Sequence, residues 1–350
     1  MADNLIEVAS SWLQKDDDSK SIQVRTAGVI SRFLKYTKSL EDSFFEELGA
    51  TKNDVEGIIK YVSDHLDSLL NRYLNGNIVD AIWFSYQLLA KIPLTKVEEG
   101  SIFYRARPND TGFLYKKGEM FHIPYEYRYK IANQRYSVSG LPCLYLGSST
   151  YLCWEELERP DYQKCNYCAL KNVKPIWVFD LRIPSRLSSI NDVYRVCLAL
   201  ACSLKTRKEH TFKLEYIVPQ CLLHAITSQP SLSHDGVGIC YYSVQCLTQE
   251  SSPFIVDYDL EEIMSRYYNI VIPAQNPKKK GLSGKLTKMF IQSPSMSMMY
   301  RHLMNSKSPK KYLNTIDNYG DTLFGELEDY LRFMLKATEV EMKKNKEVDW

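Results

Sequence analysis

The chain has 350 residues, 45% of them apolar and 25% charged, and carries a net charge of +2. That composition belongs to a globular protein with ample material for a core, and so small a charge gives no argument by itself for nucleic acid or a membrane, so no nucleic-acid partner is expected. No apolar run is long enough to cross a bilayer, Met1-Ala2-Asp3-Asn4 lacks the features of a secretory leader, and nine scattered cysteines fit reduced thiols, so a cytoplasmic location away from membranes is expected.

Residues 1–94 read as a helical bundle. Val55, Ile58, Ile59, Val62, Leu66, Leu69, Leu70 and Tyr73 recur at helical spacing. Thr51 suits the N-cap of that helix, with Asp54 three residues later favouring its positive end. Asn75-Gly76 closes it, and a second helix is expected from Asn77 to Ile92, stopped by Pro93. The stretch from Ile22 to Leu48 holds at least one more.

Residues 95–256 change texture to short β-like runs such as Ile176-Trp177-Val178-Phe179 and Ile239-Cys240-Tyr241-Tyr242. Gly140-Leu141-Pro142 is a turn, Cys143 to Gly147 a buried strand, and Ser148-Ser149-Thr150 offers N-cap hydroxyls for a helix over Tyr151 to Glu158. A further helix is expected from Val193 to Ser203. Residues 257–350 read as a mainly helical extension, broken by Pro273 and by Pro277-Lys278-Lys279-Lys280-Gly281. Its last helix aligns Leu323, Phe324, Leu327, Tyr330, Leu331 and Met334. The mixture predicts an α+β fold.

Four residues carry the candidate chemistry. Arg105 follows Phe103-Tyr104, Arg135 opens Arg135-Tyr136-Ser137-Val138-Ser139-Gly140, Tyr145 lies in the expected strand, and Glu156 lies in the helix after it. Guanidinium groups pair bidentately with phosphates, an aromatic ring stacks on a base or on nicotinamide, and a carboxylate stabilises positive charge developing on a ribose. Each residue taken alone is more ordinarily structural, and their order and spacing are what point to a dinucleotide.

On these residues the chain resembles the RES domain, a family of NAD-consuming bacterial toxins with a fold similar to ADP-ribosyltransferases. The resemblance spans about Gly100 to Cys246. It maps Arg105, Arg135, Tyr145 and Glu156 onto the family's central positions and Ser243 onto its late serine, and Glu215-Tyr216-Ile217-Val218-Pro219-Gln220 is also similar. Ser137, Tyr242 and Cys153-Trp154 depart from the pattern, and Arg107 and Glu155 compete in register with Arg105 and Glu156. The resemblance implies an ADP-ribosyltransferase-like mixed β core over 95–256, flanked by the N-terminal bundle and the C-terminal helices. It implies NAD as substrate and no metal. Arg105 and Arg135 would hold the diphosphate, Tyr145 and Glu156 would be catalytic, and Ser243 would bond the nicotinamide or phosphate end.

The implied reaction is cleavage of the nicotinamide–ribose bond by a toxin or defence effector, with water (glycohydrolase) or phosphate (phosphorylase) as acceptor. A protein acceptor would make it an ADP-ribosyltransferase, and a degenerate domain would leave a non-enzymatic interaction scaffold. Such an enzyme would need restraint by a homo-oligomer or an inhibitory, antitoxin-like protein, with the helices of residues 1–94 and those after Tyr258 as the contacts; their apolar stripes, Val55 to Tyr73 especially, would bury against the central domain or against another copy.

Other motifs carry less. The bundle is similar to HEPN-type modules, but Lys60 stands where the ribonuclease arginine of Arg-x-x-x-x-His would precede His65. Cys165-Asn166-Tyr167-Cys168 has the spacing of half a zinc site without a second half, and reads as two free thiols in a loop. Gly281-Leu282-Ser283-Gly284-Lys285 lacks the earlier glycine and the Ser/Thr of a P-loop. His234-Asp235 is explained by a turn.

Overall fold

The longest N-terminal helix begins where the sequence expects it. The Thr51 N–H donates to Asp54 Oδ2 (2.9 Å) while the Asp54 N–H donates to Thr51 Oγ1 (3.1 Å), a reciprocal cap that satisfies two otherwise orphaned donors. The computed structural model describes residues 4–207, 209–228, 237–248, 264–275, 280–298 and 319–347. These form an α+β protein with helices at both ends of the chain. His234-Asp235 and residues 277–279 lie outside the described residues.

In chain order the elements are α1 (Leu5–Gln14), α2 (Ile22–Lys38), α3 (Asp42–Glu47), α4 (Lys52–Leu74), α5 (Ile78–Leu89), β1 (Leu94–Val97), β2 (Ile102–Pro108), β3 (Cys143–Gly147), α6 (Thr150–Glu156), β4 (Cys165–Asn172) and β5 (Ile176–Asp180). They continue with α7 (Ile190–Cys202), α8 (Ile217–Ser228), β6 (Val237–Tyr242), α9 (Val244–Thr248), β7 (Tyr268–Pro273), β8 (Phe290–Gln292), β9 (Met296–Ser297) and a C-terminal helix (Leu323–Glu347). Two compact units interleave along the chain. The first takes Met1–Thr95, Ala132–Ser139 and Val178–Glu250; the second takes Lys96–Ile131, Gly140–Trp177 and Ser251–Trp350.

In the first unit the α4 stripe is consumed. Val55, Ile59, Val62, Leu66, Leu69 and Leu70 are buried, and α4 packs on α2, α5, α7 and α8. The bundle is therefore completed by helices far along the chain, and this stripe buries against the central stretch, the first of the two surfaces expected for it. Helix α8 was not legible in the sequence, because Pro219 reads as a breaker; it sits in the first turn, where its missing N–H costs nothing. His65 packs between Tyr61 (ring centroids 3.8 Å apart) and Phe84 (5.6 Å) inside the bundle. Arg25 is buried and pairs with Asp16 (2.6 Å) and with Glu215, tying α2 to the start of the α8 segment.

The second unit holds an antiparallel run of strands in the order β7-β3-β2-β4-β8, with β9 also on β4. β7, β8 and β9 lie in the region read as mainly helical. β7 (Tyr-Asn-Ile-Val-Ile-Pro) is short, apolar and β-branched, the texture of a buried strand, and its pairing partner β3 is more than a hundred residues away. The C-terminal helix buries Phe324, Leu327, Leu331 and Leu335. From the same face Glu328 accepts a hydrogen bond from the Thr150 N–H (2.7 Å), so a carboxylate from one helix caps the positive end of α6. Cys165 and Cys168 stand in β4 rather than in a loop. Three residues apart on a strand they point to opposite faces, which rules them out as a metal-binding pair.

Candidate functional site

The β2–β3 contact sets the geometry of the second unit's site. β2 pairs with β4 over its whole length, from Ile102↔Lys171 to Pro108↔Cys165, and β3 pairs with β7 from Cys143↔Pro273 to Gly147↔Asn269. Between β2 and β3 the described register holds one rung, Tyr104↔Gly147. The strands therefore part immediately after Tyr104, and Arg105 stands at the opening. Its Nη1 donates to the Tyr145 carbonyl across the gap (2.9 Å), replacing a ladder hydrogen bond with a side-chain one.

Arg105 is not neutralised there. Its Nε is buried without a hydrogen-bond partner, and no carboxylate pairs with the guanidinium among the described residues. Burial lowers its pKa, and the nearby Cys168 and Cys153 pull the other way. Those neighbours are thiols rather than thiolates, since burial pushes Cys168 up to about 12 and Cys153 higher still. A guanidinium keeps its proton in proteins, so the unit carries a half-buried positive charge with no carboxylate partner among the described residues, and its buried Nε is unfavourable without an acceptor.

His122 adds no charge. Its Nε2 accepts from the Ser283 N–H (2.8 Å) and its Nδ1 lies 2.9 Å from the Ile123 carbonyl, which requires the neutral ring with the proton on Nδ1. Burial lowers its pKa, and the Arg105 charge adds to that. Arg107, the register competitor, is exposed, donates to the Glu119 carbonyl (2.7 Å) and lies over the Tyr115 ring (4.6 Å).

Helix α6 decides between the two carboxylates. Ser149 caps it through the Leu152 N–H (3.1 Å), and Gly147 lets it approach β3, because a Cβ there would meet Cys153 Sγ at 2.7 Å. Glu155 is buried, accepts from the Tyr151 hydroxyl and pairs with Arg159 (2.8 Å), so both its oxygens are spent inside the unit. Glu156 is exposed at the end of α6, and its Oε1 accepts from Asn269 Nδ2 (3.0 Å). The next turn places Glu158 and Arg159 at φ of 64° and 55°, the left-handed region that residues other than glycine seldom adopt. Trp154 holds that turn by donating to the Pro160 carbonyl (2.7 Å). Strain of this kind persists where surrounding contacts over-determine the backbone.

The first unit holds Arg135 and Ser243. Arg135 Nη1 donates to the Cys202 carbonyl (2.7 Å) and Nη2 to the Leu204 carbonyl (3.1 Å), and the guanidinium lies 5.2 Å from the Tyr216 ring. It thus caps the negative end of α7, an interaction with a structural purpose of its own. Gln220 Nε2 donates to Asn133 Oδ1 (2.5 Å) and to the Gln134 carbonyl (2.9 Å), and Tyr136 packs on Tyr241 (4.4 Å). The three separated stretches around Arg135, Tyr216 and Ser243 are therefore neighbours in one unit. Ser243 itself is fully buried, and its hydroxyl has no partner among the described residues.

The structure brings Arg105 to Tyr145 in the second unit and the Arg135 stretch to Tyr216–Gln220 in the first. Asn269 was missed in the sequence. An asparagine inside an otherwise apolar strand was the signal available, but it needs β7 to be recognised as a strand first. Among the described residues no group of three or more His, Cys, Asp or Glu side chains is disposed to hold a metal, and no helix is long and apolar enough to cross a membrane.

No protein-family model and no solved structure matches the chain. Over 258 residues, 65% of its length, it is 30% identical to a curated protein of Bacillus subtilis (strain 168) described as "Putative toxin YopC", and it spans about half (55%) of that relative's length.

Proposed function

We propose that this chain is an NAD-cleaving toxin of the RES type, breaking the bond between nicotinamide and ribose. The observation that carries the reading is Arg105: a half-buried guanidinium with an unpaired Nε at the parting of two strands, in the same unit as Tyr145 and an exposed, amide-held Glu156. A cation with no carboxylate partner among the described residues suits an anion, and a diphosphate supplies paired acceptor oxygens to which a guanidinium fork donates. The likeness to a protein named as a toxin supports the biological half of the reading.

In this reaction the glycosidic bond lengthens into an oxocarbenium-like state while neutral nicotinamide departs, so a strong general acid is not required. Arg105 fixes the diphosphate and Tyr145 orients the nicotinamide ribose. Glu156 accepts from the ribose hydroxyls and stabilises the cation. For Ser243 and Arg135, which belong to the first unit, a ligand role rests on the resemblance alone, and the carbonyl bonds of Arg135 favour the cap of α7. An inhibitory protein or a homo-oligomer restrains the activity in the cytoplasm. The test is incubation of the purified chain with NAD, with and without phosphate, followed by mass analysis. Free nicotinamide with ADP-ribose, or with its phosphorylated counterpart, supports the reading. ADP-ribose found on protein redirects it to transfer, and intact NAD under every condition rejects it in favour of a scaffold.

A further inference from the structure

Asn269 sits second in β7, a strand whose other residues are Tyr268, Ile270, Val271, Ile272 and Pro273. It is 7% exposed. Asparagine is disfavoured in strands, and a buried polar side chain is the informative exception in a core. Here the buried amide reaches outward to an exposed carboxylate, Glu156, rather than inward to a backbone group.

The surroundings show that the reach is built. Asn269 pairs with Gly147 across the β3–β7 ladder, and Gly147 presents no side chain between the strand and α6. The residues just before Asn269 fasten the other end of α6. The Tyr268 N–H donates to Ser148 Oγ (3.1 Å), the Ser148 N–H donates to the Tyr268 carbonyl (3.0 Å), and Ser149 Oγ donates to the Arg266 carbonyl (2.9 Å). One four-residue stretch, Arg266 to Asn269, therefore grips the helix at its start and holds the carboxylate at its end. Glu155, one residue earlier, is held by Tyr151 and Arg159, so the two neighbouring carboxylates have separate partners.

We propose that Asn269 is a positioning residue for Glu156: its amide fixes the carboxylate's rotamer and favours the ionised form that the reaction needs. The role rests on the NAD-cleaving reading above. A donated hydrogen bond to the charged form of an acid favours that form, and a neighbouring negative charge disfavours it. Asn269→Asp replaces the donor by such a charge at constant shape, and Asn269→Ala removes it.

The experiment measures kcat and KM for NAD against pH in the full chain carrying Asn269→Asp, Asn269→Ala or Asn269→His, the last keeping an N–H at similar reach. The expected result is a fall in kcat of about 100-fold for Asp and Ala, with KM within about twofold of wild type. The acid limb of the kcat profile should move to higher pH, and His should recover part of the loss. In a Glu156→Gln background the same substitutions should cost nothing more, because the amide acts through that carboxylate. Equal losses with and without Glu156, or an acid limb that stays in place, would overturn the proposal. If one variant fails to fold, the remaining two still decide it. NAD left intact by wild type would reject the reaction but not the contact. Carbon-13 titration of the glutamate carboxyls in wild type and Asn269→Ala reads the contact independently, and a Glu156 signal titrating identically in both would refute it.

Discussion

Arg105 and Arg135 look alike in the sequence, each beside a tyrosine, and the two units treat them in opposite ways. In the first unit Arg135 spends two donors on carbonyls at the end of α7 and lays its plane near Tyr216. Arg25 and Arg182 in the same unit are likewise matched, to Asp16 with Glu215 and to Asp180. In the second unit Arg105 bonds to the Tyr145 carbonyl, and its buried Nε has no acceptor among the described residues. Arg105 therefore lacks the carboxylate or paired carbonyls that the other three have, among the described residues. The comparison separates an arginine that caps a helix from one whose Nε is left without a partner, the contrast on which the proposed anion role rests.

The largest expected effect lies in the second unit's chemistry. Glu156→Gln should lower turnover by about 100- to 1,000-fold, the scale of losing one group that stabilises transition-state charge, while NAD affinity stays close to wild type. Glu155→Gln should instead lower stability, since it disturbs a buried carboxylate that accepts from Tyr151 and pairs with Arg159; activity lost equally in both would erase the distinction between the two carboxylates. Next is the first unit's Arg25. Arg25→Met leaves Asp16 and Glu215 buried without their cation and should cost about 3–5 kcal/mol in urea unfolding.

The comparison itself is broken or sharpened by Arg105→Met against Arg135→Met. Arg135→Met should lose about 2 kcal/mol through two hydrogen bonds and a helix-end charge. Arg105→Met should abolish NAD binding by calorimetry with no fall in melting temperature, because a half-buried charge without a carboxylate partner leaves with the side chain. A melting temperature that drops as far for Arg105→Met as for Arg135→Met would make Arg105 structural too. The smallest effect concerns His122. Its folded pKa lies below the ordinary 6.5, so the neutral ring's contribution is complete above about pH 6.5 and fades as pH falls through the lowered folded value. Urea midpoints of wild type and His122→Gln should therefore converge on acidification.

Local signals were legible because they depend on neighbours in the chain. The Thr51–Asp54 cap, the β3 run from Cys143 to Gly147 and the Ser149 cap of α6 each follow from a few adjacent residues, and each forms where expected. The α+β class follows from the same short-range texture. The tertiary structure decided what depends on distant partners. It made β7 a strand by pairing it with β3, drew α7 and α8 into the N-terminal bundle, and distributed the candidate residues between two interleaved units. It also separated residues of one chemistry by environment: Glu155 from Glu156 through burial, Arg135 from Arg105 through available carbonyls. A sequence determines which groups are present and how they alternate. Only packing determines which of them are left unsatisfied, because solvation and partners are set by contacts that close across the whole chain.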